Sequence, residues 1–230
     1  MKCMMNEPFR VCDRVYMVGS SEISHGMDCC VYLIDAGELV LIDAGAGMST
    51  DRLTDNMLYL GFLPEQLSTL ILTHAHIDHI GSAAELRDRY QIKVVAHEKD
   101  VGAIESGRRV GAEYYGARYR PCKVDIIISD EEQEITTGSI TFKILHIPGH
   151  TPGSLAKIME MGKQRVLFGQ DIHGPYLSMW GGNPPDAVSS LQKLIDIKAD
   201  ILCEGHYGTI KPANEVEVFI REFLDNLRQR

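Results

Sequence analysis

The order of strand and helix signals predicts an α/β (α+β) fold, a four-layer αββα sandwich. Two mixed sheets would pack face to face, with helices covering their outer sides. Short apolar runs alternate with helical segments in the first half of the chain, which indicates locally parallel pairing. Several short strands then follow one another, and strands and helices alternate again near the end. The chain has 230 residues, 44% of them hydrophobic, and no shift in composition, so we expect a single domain over 1–230.

Strands are predicted where short apolar runs lie between turn signals. Gly37-Glu38 marks a tight turn between the second and third strands, and Gly138-Ser139 marks a later turn. The predicted strands are 11–18, 29–35, 38–43, 69–72, 92–96, 124–128, 135–136, 140–147, 154–159, 165–168 and 200–203.

Helices are predicted from apolar residues at helical spacing and from end signals. Ser49 or Thr50 would begin the first helix, and Gly61 would end it. The predicted helices are 49–60, 80–90, 186–198 and 215–228. Three tyrosines and several arginines lie among glycines in the irregular segment 97–121. We expect one or two short helices there, which would form either a lid over a site or a plain connection.

Composition excludes several kinds of partner. The formal net charge of −9 disfavours nucleic acid, which requires a basic face. No apolar run reaches the length of a membrane span, and the first residues lack the apolar region of a secretory signal. The six cysteines include no CxxC pair, so we expect mostly free thiols in a cytoplasmic protein. Neither a nucleic acid nor a membrane is therefore expected as a partner.

The most informative segment is a cluster of metal-ligand side chains directly after an apolar run. His74, His76, Asp78 and His79 lie within six residues. In an extended chain, His74 and His76 point the same way. Because one ion requires three or four protein ligands, the cluster nearly completes one site and divides naturally between two ions. The alternative is a solvated polar loop.

Three further candidate ligands each follow an apolar, strand-like run and a nearby glycine. They are His150, Asp171 and His206. Ligands at strand ends are held on a rigid scaffold, and a glycine lets the backbone approach the site. The other histidines outside the expected pocket are interpreted as structural or surface residues: His25, His97 and His146.

These residues together resemble the metallo-β-lactamase-fold metallohydrolase superfamily, in its glyoxalase II-like and lactonase-like branch. The match is the His-x-His-x-Asp-His motif at 74–79, followed by a His, an Asp and a His in order. The resemblance runs from residue 31 to about 212 and implies that one metal is held by His74, His76 and His150, the other by Asp78, His79 and His206, with Asp171 between them. It also implies that Asp43 hydrogen-bonds a ligand histidine, although a turn aspartate is an alternative.

The resemblance implies two divalent metal ions and hydrolytic chemistry. Two ions lower the pKa of a shared water, so a metal-bridging hydroxide is the expected nucleophile. Asp78 would orient it and accept a proton. Zinc is the predicted metal, with iron or manganese as alternatives. The predicted function is cleavage of a small thioester or lactone.

Five residues are predicted to line the substrate pocket: His173, Tyr176, Trp180, Tyr114 and Tyr115. His173 is alternatively a plain loop residue. Trp180 would form an apolar wall of the pocket or, alternatively, a contact in a homodimer.

Two other functions stay open at this point. One is an iron-dependent persulfide dioxygenase, which needs one metal only, and the other is a non-catalytic metal-binding module. Glyoxalase II carries an extended helical region that binds glutathione, whereas the segment after His206 has room for one helix. This difference disfavours a glutathione thioester as the substrate. Two other classes of the fold are disfavoured by single positions. Many zinc β-lactamases carry Cys where this chain has Asp171, and flavodiiron proteins carry an acidic residue where this chain has His76.

Overall fold

The computed structural model describes residues 6–229, which form two sheets. The first sheet has seven strands in sequence order, antiparallel from β1 to β4 and parallel from β4 to β7. Its strands are β1 Phe9–Cys12, β2 Val15–Gly19, β3 Val31–Asp35, β4 Leu39–Ile42, β5 Leu67–Ile71, β6 Lys93–His97 and β7 Ile126–Ile128. The predicted parallel pairing is therefore present.

The second sheet has six strands in the order β13-β12-β11-β10-β9-β8, and only β11 and β12 run parallel. Its strands are β8 Glu132–Thr137, β9 Ile140–His146, β10 Leu155–Met161, β11 Gln164–Phe168, β12 Ile201–Glu204 and β13 Gly208–Ile210. The helices are α1 Thr50–Tyr59, α2 Ile77–Ile80, α3 Ala83–Tyr90, α4 Glu98–Ser106, α5 Pro184–Asp196 and α6 Ala213–Arg228.

Three apolar clusters hold the layers together. The middle cluster lies between the sheets and includes Tyr32 and Ile71 from the first and Phe142 and Phe168 from the second. One outer cluster packs α1, α3 and α4 on the first sheet, and the other packs α5 and α6 on the second. The prediction of two mixed sheets flanked by helices is confirmed.

Several predicted elements differ in detail. The single strand predicted over 11–18 is wrong, because the chain turns at Arg14 (φ 57°) and forms a hairpin of β1 and β2. The helix predicted over 80–90 begins later than expected, at Ala83 in α3, and a separate short helix, α2, precedes Gly81. A β carbon at Gly81 would lie 2.1 Å from the carbonyl carbon of Ala46, so close backbone contact decides the path there. Strand β13 was not predicted.

The described cysteines agree with the expectation of free thiols, since Cys12, Cys29, Cys30, Cys122 and Cys203 form no disulfide. Cys3 lies outside the described residues. Within 6–229, no helix has the length and apolar character required to cross a bilayer.

The connections that follow β4, β5, β9, β11 and β12 meet at one edge of the sandwich. A hydrogen bond of 2.8 Å from the backbone N–H of Leu155 to the carbonyl of Thr73 joins the two sheets there. This edge carries the early histidine cluster and the three later candidate ligands.

Candidate metal centre

The seven predicted ligands come together in two adjoining groups. One contains His74, His76 and His150, and the other contains Asp78, His79, Asp171 and His206. Within each group, one ligand atom per residue lies within 4.8 Å of all the others. Residues that are up to 132 positions apart in the chain therefore converge on one edge of the sandwich.

The first group consists of three imidazoles facing a common point. The Nδ1 atom of His76 lies 3.1 Å from Nε2 of His74 and 2.9 Å from Nε2 of His150. Donor atoms on one tetrahedral zinc ion are separated by about 3.3 Å, given Zn–N bonds of about 2.0–2.1 Å. The three nitrogens are thus close to the spacing that one ion imposes.

The second group is arranged around two carboxylates. Nε2 of His206 lies 3.1 Å from Oδ2 of Asp78 and 3.3 Å from Oδ2 of Asp171, and Nε2 of His79 lies 3.2 Å from Oδ1 of Asp171. Asp171 Oδ2 also lies 3.4 Å from Nε2 of His150 in the first group. Asp171 therefore lies between the two groups, where a bridging carboxylate would have to lie.

Hydrogen bonds behind the site determine which ring nitrogen of three histidines carries a proton. Nδ1 of His150 lies 2.9 Å from the carbonyl oxygen of Pro175, which can only accept. Nδ1 of His79 lies 2.8 Å from a carboxylate oxygen of Asp43. The Thr73 hydroxyl donates to Asp43 and so accepts from Nδ1 of His74, at 2.9 Å. In a neutral ring, each Nε2 atom then presents a lone pair to the site.

Burial supports this protonation pattern in the first group. It lowers the pKa of His150 to about 3 and holds the pKa of His74 well below its ordinary value. Both rings are therefore neutral at neutral pH, as metal ligation requires.

The second group retains a proton that a cation would displace. Although burial lowers the pKa of His206, hydrogen bonds to Asp171 and Asp78 raise it to about 10. Burial favours the neutral acid at Asp171, but the charge of His79 and the hydrogen bond from His206 hold its pKa well below the usual range. Neighbouring acidic groups likewise raise the pKa of His79 well above its ordinary value, although burial lowers it. Cation binding here is consequently coupled to proton release from His206 and His79.

Two buried polar atoms at the junction of the groups, Nε2 of His79 and Oδ1 of Asp171, lie 3.2 Å apart but form no hydrogen bond of normal geometry with each other or with any other group within 6–229. Buried polar atoms are nearly always paired in folded proteins. Both atoms face the other ligands, and a cation would satisfy them. The chemistry of the donor set therefore fits a metal centre.

A cavity of about 150 Å³ lies in front of both groups. Four of the five predicted pocket residues line it: His173, Trp180, Tyr114 and Tyr115. Burial and the nearby charge of Asp78 raise the pKa of Tyr115 above its ordinary value. Tyr176 is placed elsewhere, since its hydroxyl donates to the carbonyl of Ile172 and it does not line the cavity.

Asp43 is positioned to orient two of the histidines. Its Oδ1 atom accepts from the backbone N–H of Thr73 at 2.7 Å, and its Oδ2 atom faces the Thr73 hydroxyl and His79. Its backbone is left-handed (φ 62°), as is that of Gln170 (φ 48°) before Asp171. Non-glycine residues in this region are uncommon and often lie at functional sites.

Sequence reasoning missed two buried carboxylates that shape the ligand loops. Glu204, which is fully buried, accepts from the backbone N–H groups of His206 and Tyr207 at 2.7 and 2.8 Å and lies 2.9 Å from Nδ1 of His173. An acidic residue at the end of an apolar run was the available signal for Glu204.

Asp100 is the second missed carboxylate. It accepts from the backbone N–H of Ala75 at 3.0 Å, the hydroxyl of Thr151 at 2.9 Å and the backbone N–H of Gly153 at 2.9 Å. It thereby joins the loop of His74 and His76 to the loop of His150. Its place in an irregular, polar segment gave no signal for this role.

The histidines interpreted as structural lie apart from the ligand groups. His97 and His146 are buried and stack face to face, with ring centroids 3.9 Å apart. Burial, followed by the neighbouring His146, lowers the pKa of His97 to about 4. His25 accepts a hydrogen bond from the backbone N–H of Met27.

Comparison with known proteins identifies relatives that match most of the chain. The family model of the metallo-beta-lactamase superfamily matches residues 27–206. An uncharacterized protein of Aquifex aeolicus is 29% identical over 200 residues, covering 83% of this chain and 89% of that protein. The hydroxyacylglutathione hydrolase GloC of Haemophilus influenzae is 27% identical over 201 residues, covering 80% and 87%.

Solved structures show the same architecture. A subclass B3 metallo-beta-lactamase of Bradyrhizobium japonicum matches with a TM-score of 0.81 and 26% identity, covering 97% of this chain and 92% of that one. The FEZ-1 metallo-beta-lactamase of Legionella gormanii matches with a TM-score of 0.81, covering 97% of this chain and 94% of that one. Its sequence identity is 19%, so this match shows the fold alone. The resemblance predicted from the sequence is confirmed: the chain belongs to the metallo-beta-lactamase superfamily and is a metal-dependent hydrolase of that superfamily.

Proposed function

We propose that this protein hydrolyses a small ester-type acyl compound, a thioester or a lactone, at a dinuclear metal centre. The observation that carries the proposal is the convergence of two donor groups on one cavity, with Asp171 between them. The similarity to a hydroxyacylglutathione hydrolase supports a thioester as the first substrate class to test.

The donor set favours zinc. Five imidazoles and two carboxylates suit Zn²⁺, and iron or manganese are the alternatives. Bound divalent cations would polarise the acyl carbonyl and activate water for attack on it. We assign His74, His76 and His150 to one ion, Asp78, His79 and His206 to the other, and Asp171 to both.

The chain's own residues prepare the site. Asp43, Thr73 and the carbonyl of Pro175 keep the ring protons of His79, His74 and His150 on the side away from the cavity. Asp78 is buried and lines the cavity, where its carboxylate would orient a water molecule and accept a proton.

The cavity restricts the size of the group next to the metals. A volume of about 150 Å³ is below the usual range of about 300–1,000 Å³ for small-molecule pockets. Tyr114, Trp180 and Val110 supply apolar lining, and His173 and Tyr115 supply polar atoms. These features favour a short acyl group.

The test is a panel of thioesters, lactones, simple esters and β-lactams, presented to the zinc, iron and manganese forms of the protein. Metal content is measured in parallel. We expect two equivalents of metal and turnover of at least one short-chain thioester or lactone. Oxygen uptake with a persulfide substrate tests the mononuclear dioxygenase alternative on the iron form.

Three results would overturn the proposal. One metal equivalent with persulfide-dependent oxygen uptake would favour the dioxygenase. Turnover confined to β-lactams would assign amide hydrolysis instead. Two tightly bound metals with no turnover of any compound would favour a non-catalytic metal-binding module.

A further inference from the structure

A second and larger cavity opens beside the metal centre. It has a volume of about 800 Å³ and shares two lining residues, His76 and Trp180, with the small cavity. Helix α4 and the turn that follows it form one wall, and residues 178–181 form part of another. The two cavities therefore adjoin each other at a candidate ligand histidine and at Trp180.

Three cationic side chains line this second cavity: Lys99, Arg108 and Arg109. All three residues are exposed, and none forms an ion pair with any acidic group in the described part of the chain, residues 6–229. The protein as a whole has a net charge of −9, so a local excess of cations does not follow from its composition.

The single acidic residue in this lining does not neutralise them. Asp100 is buried, and its two oxygens accept from Ala75, Thr151 and Gly153. The cavity is consequently a basic compartment that opens directly beside the metal ligands.

The arginines are held by a defined turn. Gly107 ends α4 in a left-handed conformation (φ 71°), with its N–H bonded to the carbonyl of Ala103. The backbone N–H of Arg108 donates to the hydroxyl of Ser106 at 3.2 Å, and Arg109 is itself left-handed (φ 63°). The turn brings two consecutive arginine side chains to the rim of the same cavity.

We propose that this basic compartment, defined by Lys99, Arg108 and Arg109, binds an anionic group on the alcohol or thiol portion of the substrate. The inference rests on the proposed acyl hydrolase function and specifies its substrate class. The small cavity takes the acyl group, and the larger one takes the leaving portion, which carries a carboxylate or a phosphate. A guanidinium group matches the geometry of both anions.

Matched pairs of thioesters with the same acetyl group test the proposal and distinguish the two anions. S-acetyl-3-mercaptopropionate is compared with its neutral amide, and S-acetyl-4′-phosphopantetheine is compared with S-acetylpantetheine. We expect the zinc-loaded protein to favour one anionic member over its neutral partner by about 10-fold in kcat/KM, from about a twofold gain at each of three exposed charge contacts. The pair with the larger ratio identifies the anion, and added salt reduces that ratio.

The variant Lys99→Gln/Arg108→Gln/Arg109→Asn removes the cations, and asparagine tolerates the left-handed backbone at 109. We expect KM for the anionic substrate to rise about 10-fold while kcat stays nearly unchanged. For the neutral substrate, kcat/KM should stay nearly unchanged. Binding of this kind is equal in the ground and transition states. The control is Arg118→Gln, which removes a charge from the same segment but does not line the cavity.

The proposal would be overturned if the triple variant raised KM equally for the neutral and anionic substrates. It would also be overturned if Arg118→Gln raised KM for the anionic substrate as much as the triple variant does. So would a wild-type protein without preference in either pair. Calorimetry with the corresponding thioethers, which cannot be hydrolysed, separates this inference from the proposed function. Selective binding of an anionic thioether that the triple variant loses would uphold the basic subsite even if no thioester were turned over.

Discussion

An Asp43→Asn substitution is expected to weaken zinc binding about 10- to 100-fold, the usual effect of removing a partner that orients a ligand histidine. Asp43 Oδ2 accepts from Nδ1–H of His79 at 2.8 Å and from the hydroxyl of Thr73 at 2.8 Å. Its other oxygen accepts from the backbone N–H of Thr73 at 2.7 Å. In all three hydrogen bonds, this buried carboxylate is therefore the acceptor.

Asparagine has one acceptor oxygen in place of two. If that oxygen faces the Thr73 N–H, the amide NH₂ faces His79 and can bond only to an unprotonated Nδ1. The His79 proton then stays on Nε2, the atom that faces Asp171 and Asp78 in the buried site. An Nε2–H bond blocks ligation, so about 1.4–2.7 kcal/mol of metal-binding free energy is lost.

The assay is competition for zinc against a chromophoric chelator, with the free energy of unfolding of the metal-free protein measured by urea denaturation. The matched control is Asp28→Asn. Asp28 is also buried and accepts from Ala46 N–H, Ser24 and Ser49, but it does not contact the described ligands. Both variants should lose stability, and only Asp43→Asn should lose zinc affinity. Equal zinc affinity in the two variants would refute the tautomer argument.

Three further predictions concern single buried groups. Burial lowers the pKa of Lys157 to about 7 in the folded protein, whereas an unfolded lysine has a pKa of about 10.4. The positive charge of Lys157 therefore destabilises the folded protein at pH 7 and below, and this destabilisation decreases as the pH rises towards 10. Lys157→Met should therefore raise the free energy of unfolding by up to about 5 kcal/mol at pH 6 and by less at pH 9, measured by urea denaturation; no pH dependence of the difference would contradict this. Asp78→Asn should abolish turnover at saturating zinc while the circular dichroism spectrum stays unchanged, and retained turnover would remove Asp78 from the chemistry. Glu204→Gln should lower the free energy of unfolding by about 2 kcal/mol, because an amide cannot accept all the bonds at His206, Tyr207 and His173; an unchanged denaturation midpoint would show that the loop does not depend on Glu204.

Most of the strands and helices could be predicted from local sequence patterns. The alternation of strands and helices between residues 38 and 96 predicted the parallel half of the first sheet, because a crossover helix imposes that pairing. The hairpin of β1 and β2 was missed because a left-handed Arg14 gives no composition signal. The break around Gly81 depends on contact with Ala46, which lies 35 positions away in the chain and cannot be inferred from the helical pattern of 80–90.

The candidate ligands were identifiable because imidazole and carboxylate side chains at strand ends have few other reasons to cluster. Of the carboxylates that position these ligands, only Asp43 was predicted, through the family resemblance. Asp100 and Glu204 were missed, since a carboxylate that accepts backbone hydrogen bonds looks like many other acidic residues in the sequence. Asp43, Asp100 and Glu204 each fix a different ligand loop: the one after β5, the one between β9 and β10, and the one after β12. Each of these loops carries ligands from a different part of the chain. The ligand loops are therefore held by three buried carboxyl groups outside the seven predicted ligands, and altering any one of them should lower metal affinity while the fold is retained.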